Sequence, residues 1–381
     1  MRARLPSESM DAHEELTRLL RPAGGGVYVV STGRQEQQAV QRRLYRASSD
    51  DEVQRRFEDA LGRIPTARAV ILGIPSDVGA GYVRGANLGP QAIRARLLDD
   101  DPDWPERAEA RGIVDLGDVF VVPQLLHDSM LSEAQLDATR RAVHPGLDAA
   151  ERARLPVSPL SVAERALELV LQLAPHATPF VIGGDHSCAW PVVSALSRAR
   201  SSPFGIVQSD AHTDLLSERL GVRYCFATWS FHANDLLGRG GKLVQVGIRA
   251  TRHDRGHWER TLGVRQFWAD ECRRDPAATL DAIVESVRSS GAERVYFSND
   301  IDGTDERFAD ATGTPEPEGL EPEFLVELIR RLGREVGLLG GDVMEVAPPL
   351  VRSPGGVERT LGVAARYVRE TLEAMLGART T

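Results

Sequence analysis

Ser209-Asp210-Ala211-His212-Thr213-Asp214 puts two carboxylates and an imidazole at i, i+2 and i+4, and it follows the apolar run Phe204-Gly205-Ile206-Val207. If the start of this stretch is still extended, Asp210 and His212 point to the same side, because strand side chains alternate with period two. Asp214 can then fold back from the following turn. A strand ending in Asp-x-His-x-Asp has the form of a metal-site rim. Three more apolar runs end in polar clusters. Phe180-Val181-Ile182 leads into Gly183-Gly184-Asp185-His186-Ser187, and Val295-Tyr296-Phe297 into Ser298-Asn299-Asp300-Ile301-Asp302-Gly303-Thr304-Asp305. Leu338-Leu339 leads into Gly340-Gly341-Asp342-Val343-Met344-Glu345.

Taken singly, each cluster has an ordinary explanation: Asp-x-Asp after a strand is usually a turn or a helix cap, and an isolated histidine is usually structural. Together they bring Asp210, Asp214, Asp300 and Asp302 to one place, with His186 and His212 as neutral donors. Several ionised carboxylates in a partly buried cleft carry a heavy penalty without a cation. Two divalent ions balance the four charges. Carboxylates with two imidazoles suit Mn²⁺, with Zn²⁺, Ni²⁺ or Fe²⁺ as alternatives. Two such ions about 3.5 Å apart can share a water and lower its pKa.

The elements that must position these residues are strands alternating with amphipathic stretches. Apolar runs lie at 69–75, 113–116, 179–182, 204–207, 242–248, 294–297 and 336–339. Helical patterns cover about 91–98, 159–174, 189–200, 276–289, 322–334 and 357–376. That alternation predicts an α/β fold, a three-layer α-β-α sandwich with a mostly parallel central sheet and helices on both faces. In such sheets the carboxyl ends of the strands form the ligand face, so the four clusters should converge. Residues 1–65 read as an N-terminal extension with no assigned role, in which two charged helix-like stretches flank Gly24-Gly25-Gly26 and the run Val27-Tyr28-Val29-Val30. Residues 66–381 read as the main domain, with a surface insertion at about 123–158.

The bulk numbers remove several classes. The 381 residues are 42% hydrophobic and 27% charged, ordinary for a globular chain with a sizeable core. A net charge of −9 argues against a broad nucleic-acid surface. No segment has the uninterrupted apolar length of a membrane span. Met1-Arg2-Ala3-Arg4-Leu5-Pro6 has no apolar core after it, so a secretory leader is not expected. Cys188, Cys225 and Cys272 lack CxxC spacing, which fits a reducing cytoplasm.

With these motifs in order, the sequence resembles the ureohydrolase (arginase/agmatinase) family. The resemblance rests on Gly-Gly-Asp-His-Ser at 183–187, Asp-Ala-His-Thr-Asp at 210–214 and Ser-x-Asp-x-Asp-x-x-Asp at 298–305. Ala311-Thr312-Gly313-Thr314-Pro315, Gly341 to Val346, and Arg84-Gly85-Ala86-x-x-Gly89-Pro90 with Ile93-Arg94 also match. It implies an arginase-like fold and two Mn²⁺ ions. His186, Asp210, Asp214 and Asp300 would hold one; His212, Asp210, Asp300 and Asp302 the other. A metal-bridging hydroxide would attack the carbon of a guanidinium or amidine, releasing urea and an amine. Asp214 would pass a proton to the leaving amine, Glu345 would pair with the guanidinium, and Asp305 would support the ligand loop. A homo-oligomer, trimer or hexamer, is also implied.

The sequence departs from the family downstream. The family's His-Gly turn, some dozen residues after Asp-x-His-x-Asp, is replaced by Tyr224-Cys225-Phe226-Ala227-Thr228-Trp229, and the next histidine is His232. Leu215-Leu216-Ser217-Glu218-Arg219 lacks the Asn/Ser/Thr pattern by which arginase holds the amino-acid end of its substrate. The expected substrate is therefore agmatine-like or a guanidino acid rather than arginine, with Phe226 and Trp229 as the aromatic mouth of its pocket. Alternatives are a formimino-substrate hydrolase, a non-catalytic metal-binding homologue without the shuttle histidine, and an amide hydrolase of the deacetylase type. The Glu345 context and the count of metal ligands disfavour the last of these.

Overall fold

A computed structural model describes residues 10–27 and 31–377. Tyr28-Val29-Val30 and the Met1–Pro6 stretch lie outside the described residues, so the expectations placed on them are not addressed. Nine strands form one sheet: β1 (Leu20–Arg21), β2 (Ala69–Ile74), β3 (Ile113–Val119), β4 (Thr178–Gly183), β5 (Phe204–Ser209), β6 (Leu243–Ile248), β7 (Arg265–Trp268), β8 (Arg294–Asn299) and β9 (Leu338–Val343). Their order across the sheet is β1-β3-β2-β4-β9-β8-β5-β6-β7. Every pairing is parallel except that of β1 with β3. The expected three-layer α/β sandwich is what the chain forms. Two strands had no counterpart in the sequence reading: β1, of two residues, and β7, of four.

Strand burial explains the layers. β2, β4, β5, β6 and β9 are buried along their whole length, as strands covered on both faces must be. Period-two alternation sends neighbours to opposite cores: Val70, Leu72 and Ile74 join one apolar cluster, Ala69 and Ile71 the other. Helices Pro159–Leu173 and Ala189–Ala199 supply the first cluster. Helices Gly89–Asp100, Pro276–Ser289, Pro322–Glu335 and Gly356–Gly377 supply most of the second. Pro322–Glu335 shows why such a sequence folds so. Proline sits in its first turn, and Phe324, Leu325, Leu328, Ile329 and Leu332 recur at three- and four-residue steps to form one buried stripe. The 123–158 segment carries two short helices, Glu133–Val143 and Ala149–Arg154, each opened by a capping box. No helix among the described residues is long and apolar enough to cross a membrane.

Residues ahead of β2 pack on the β3 edge. Leu16, Leu19, Phe57 and Leu61, from helices Ala12–Leu19 and Asp50–Gly62, join the cluster that holds Val114 and Leu116 of β3. A Cβ on Gly26 would lie 2.4 Å from the Val119 carbonyl oxygen, so only glycine lets the chain pass there. The anchor is a buried ionic knot. Arg94 donates to Asp115 at 2.8 and 2.9 Å, to Asp118 at 2.6 Å and to the Gly117 carbonyl at 3.0 Å. The other oxygen of Asp118 accepts the Gly24 amide at 2.7 Å.

Removing one partner of a buried pair strands the others. Arg94→Leu is therefore expected to cost about 3–5 kcal/mol in urea unfolding. Arg366→Ala, which deletes a surface pair with Glu323, should cost less than about 1 kcal/mol. Equal losses would show that the knot is not the anchor.

Candidate metal centre

β4, β9, β8 and β5 are consecutive neighbours in the sheet, and their carboxyl ends carry the four polar clusters. Backbone bonds beyond the strands hold those ends level. The Asp300 amide donates to Ser209 at 2.9 Å, that of Met344 to Asn299 at 2.9 Å, and that of Glu345 to Gly184 at 2.8 Å. A Cβ on Gly303 would fall 2.6 Å from Ser209 Oγ and 2.8 Å from the Asp210 nitrogen, so the Asp302 turn can sit against β5 only with glycine there. Asp214 and Glu345 have φ of 53° and 62°, in the left-handed region where non-glycine residues are uncommon. Both follow strand ends, and in both the turn returns the carboxylate toward the cluster.

His186 is fully buried. Its Nδ1 lies 3.0 Å from Asp300 Oδ2, 3.2 Å from Asp210 Oδ2 and 3.4 Å from Asp214 Oδ2. His212 Nδ1 lies 3.1 Å from Asp302 Oδ2 and 3.6 Å from Asp210 Oδ1. Asp210 thus turns one oxygen to each imidazole. Two groups of potential ligand atoms result, His186/Asp210/Asp300 and Asp210/His212/Asp302, joined through Asp210. Asp300 faces His186 with Oδ2, while its Oδ1 accepts the Asp302 amide at 2.9 Å.

The donor set fits divalent cations. His186 Nδ1 is buried with no hydrogen-bond partner, among three carboxylate oxygens. Its tautomer follows from its neighbours. Asp342 accepts from Tyr296 Oη at 2.6 Å, Ser298 Oγ at 2.8 Å and the Asn299 amide at 2.8 Å. Since Ser298 spends its one proton on Asp342, its oxygen must accept from His186 Nε2, 3.0 Å away. That leaves Nδ1 with a lone pair facing the carboxylates, as a metal-ligating imidazole requires. The charge balance agrees. Burial, and then the neighbouring carboxylates, push Asp214 and Asp300 well above the ordinary carboxylate range. Burial also works against Asp210, yet the imidazoles of His186 and His212 beside it hold it below that range. Both imidazoles are driven up by the acids against the effect of their own burial. The cluster demands positive charge, which protons or metal ions can supply.

Several supporting groups were not legible in the sequence. Gln208, Gln245 and Gln266 lie in register on β5, β6 and β7, and their buried amides form a chain. Gln266 Nε2 donates to Gln245 at 2.9 Å, Gln245 Nε2 to Gln208 at 2.8 Å, and Gln208 Nε2 to Asp210 Oδ2 at 2.7 Å. Thr314 Oγ1 donates to Asp302 at 3.1 Å. Asp305, by contrast, was expected from the sequence to support the ligand loop; it accepts the Arg307 and Gly319 amides at 3.0 and 2.9 Å.

The two aromatic residues lie in different surroundings. Trp229, expected at a pocket mouth, is wholly buried. Its Nε1 donates to Asp214 Oδ2 at 3.1 Å, and its ring lies 4.5 Å from that of His186. It opens the helix Trp229–Leu236, whose packing draws it inward. Phe226 is half-buried at a cleft, with the Arg219 guanidinium 4.8 Å from its ring centroid. His232 faces away from the cluster, its Nε2 3.0 Å from the Arg223 carbonyl. Glu345 is buried and accepts the His186 amide at 3.0 Å through Oε1. Burial, with Asp300 and Asp185 nearby, pushes its carboxyl up.

The sequence model of the arginase family matches residues 67–373. The chain is 29% identical over 288 residues to a guanidino acid hydrolase of Homo sapiens, covering 74% of this chain and 72% of that one. It is 32% identical over 282 residues to an N(1)-aminopropylagmatine ureohydrolase of Thermus thermophilus, covering 74% and 83%. Among solved structures it is similar to the proclavaminate amidino hydrolase of Streptomyces clavuligerus, with a TM-score of 0.61 and 29% identity over 83% of this chain and 94% of that one.

Ser298→Ala should release the His186 ring without touching any carboxylate. Loss of such an outer hydrogen bond typically weakens metal binding on the order of 10–100-fold. Calorimetric titration of chelator-stripped protein with Mn²⁺ reads this directly, and unchanged affinity would show that Ser298 does not orient the ligand.

Proposed function

The chain belongs to the arginase family, and from that premise we propose that it is a hydrolase using two divalent ions, Mn²⁺ foremost, to cleave a small guanidino compound to urea and an amine. The observation that carries this reading is the double use of Asp210, one oxygen toward each imidazole. His186, Asp210, Asp214 and Asp300 would hold one ion; His212, Asp210, Asp300 and Asp302 the other. When bound, the ions offset the carboxylate charge and supply the Lewis acidity that makes water nucleophilic at neutral pH.

The remaining work falls to side chains. Glu345 keeps Oε1 on the His186 amide and offers its other oxygen to the substrate guanidinium, a charge-assisted pairing that orients the carbon to be attacked. Asp214, fixed by Trp229 Nε1, takes a proton from the attacking water and returns it to the departing nitrogen. Oxygen joins the guanidinium carbon, the bond to the substituted nitrogen breaks, and urea and a protonated amine leave. Leu215 and Leu216, where arginase has polar residues, favour an agmatine-like or guanidino-acid substrate over arginine. A cytoplasmic location and a homo-oligomer belong to the same reading. Three buried free cysteines support the former.

Protein loaded with Mn²⁺ should release urea from at least one of agmatine, guanidinobutyrate, guanidinopropionate and arginine, and Asp210→Ala should abolish it. Metal counting should give two ions per chain. Turnover with one ion would sink the two-metal mechanism. Two bound ions with no urea from any guanidino compound would point to a binding protein.

A further inference from the structure

Two loops meet beside the metal cluster. One runs from Asp214 to Trp229, whose indole returns to Asp214. The other, 77–85, passes Glu345: the Val83 carbonyl oxygen and Glu345 Oε2 lie 3.4 and 3.9 Å from the Cβ position of Gly313. The Phe226 amide donates to the Gly79 carbonyl at 3.1 Å and joins the two loops. Between them opens a cleft of about 530 Å³, within the range of small-molecule sites.

In charge the lining of this cleft is one-sided. Tyr82, Leu126, Met130, Leu220 and Phe226 make an apolar and aromatic wall, with Tyr82 and Leu220 standing out into solvent; Gln124 and His127 are polar, and Arg219 is the only Lys or Arg. No carboxylate lines it among the described residues. Arg219 stacks on Phe226 and makes no ion pair among the described residues. It is presented by a tight turn: Leu220 and Gly221 have φ of 52° and 78°, and Arg219 and Val222 exchange backbone hydrogen bonds of 3.0 and 2.9 Å. Two successive positive φ values match the turn type that closes rigid hairpins, so the guanidinium stands on a fixed base.

We propose that this cleft is the tail subsite, and that it selects guanidino compounds whose far end is a carboxylate on an apolar chain or ring, with Arg219 as the specificity residue. The inference rests on the reading above that Glu345 receives the guanidinium. A substrate reaching from Glu345 into the cleft meets one Lys or Arg there, Arg219, and no acid among the described residues. A terminal carboxylate gains a charge-assisted contact there. A terminal ammonium, as in agmatine, meets a like charge with no acid to receive it.

The test compares tails of equal length. With the Mn²⁺-loaded protein, kcat/KM for 5-guanidinopentanoate should exceed that for agmatine by about tenfold or more. Arg219→Met should erase that ratio by raising KM for the acid, with kcat and bound metal unchanged, and Arg219→Lys should recover part of it. Equal rates for the two substrates, preference for agmatine, or a ratio untouched in Arg219→Met would overturn the assignment. A tail-only probe separates this idea from the hydrolase reading. Binding of 4-phenylbutyrate, followed by calorimetry, should occur in the native protein and be lost in Arg219→Met. If no guanidino compound gives urea but this binding pattern holds, the hydrolase reading falls and the acid subsite stands. If 4-phenylbutyrate does not bind, the subsite falls.

Discussion

Like charges crowded in a dry place are the constraint on which the site depends. Four carboxylates and two imidazoles share one corner of the sheet, all but His212 almost fully buried. Left alone, acids in that position would protonate or be pushed apart. Among the described residues no arginine or lysine pairs with these carboxylates directly; the Arg249 guanidinium, which feels Asp302 and Asp210, donates to the Asp302 backbone carbonyl at 2.7 Å. The surrounding structure holds the acids with amides and hydroxyls: Ala211, His212 and Asp302 give backbone N–H groups, and Gln208 and Thr314 give side chains. Neutral donors fix positions without cancelling the charge, and the charge remains available to cations.

The sheet makes this affordable in backbone terms. Four neighbouring parallel strands deliver their ends at one level, and the amides just past those ends bond across to the next strand. At the cluster, left-handed backbone falls on Asp214 and Glu345, each of which has to turn a carboxylate back over its own strand. Tight glycine contacts at Gly184 and Gly303 let the turns close without side chains.

Features encoded in contiguous residues were legible in the sequence. The strands that feed the site are short apolar runs, and each ligand cluster follows its run directly, so composition and order were enough. The site's support is encoded differently. Gln208, Gln245 and Gln266 are separated by 37 and 21 residues, and only strand register makes them a chain. Ser298 and Asp342 lay within recognised motifs, but their link to His186 depends on which proton goes where. β7 has four residues and an exposed first position, too brief for periodicity to declare itself. Trp229 was misplaced because an aromatic beside a polar loop reads equally well as wall or as core, and the following helix decides between them.

Asp118 faces two ways. One oxygen belongs to Arg94, on the helix that follows the early glycine-rich loop, and the other to the Gly24 amide. The family's recognisable span starts at residue 67, yet Phe57, Leu61 and Leu16 cover Val114 and Leu116 from the far side of that boundary. A chain trimmed to the family's limits would bare an apolar strand edge and halve the solvation of a buried carboxylate. Sequence match and packing therefore draw different limits on this polypeptide: the leading segment lies outside the family model's match yet shares its core.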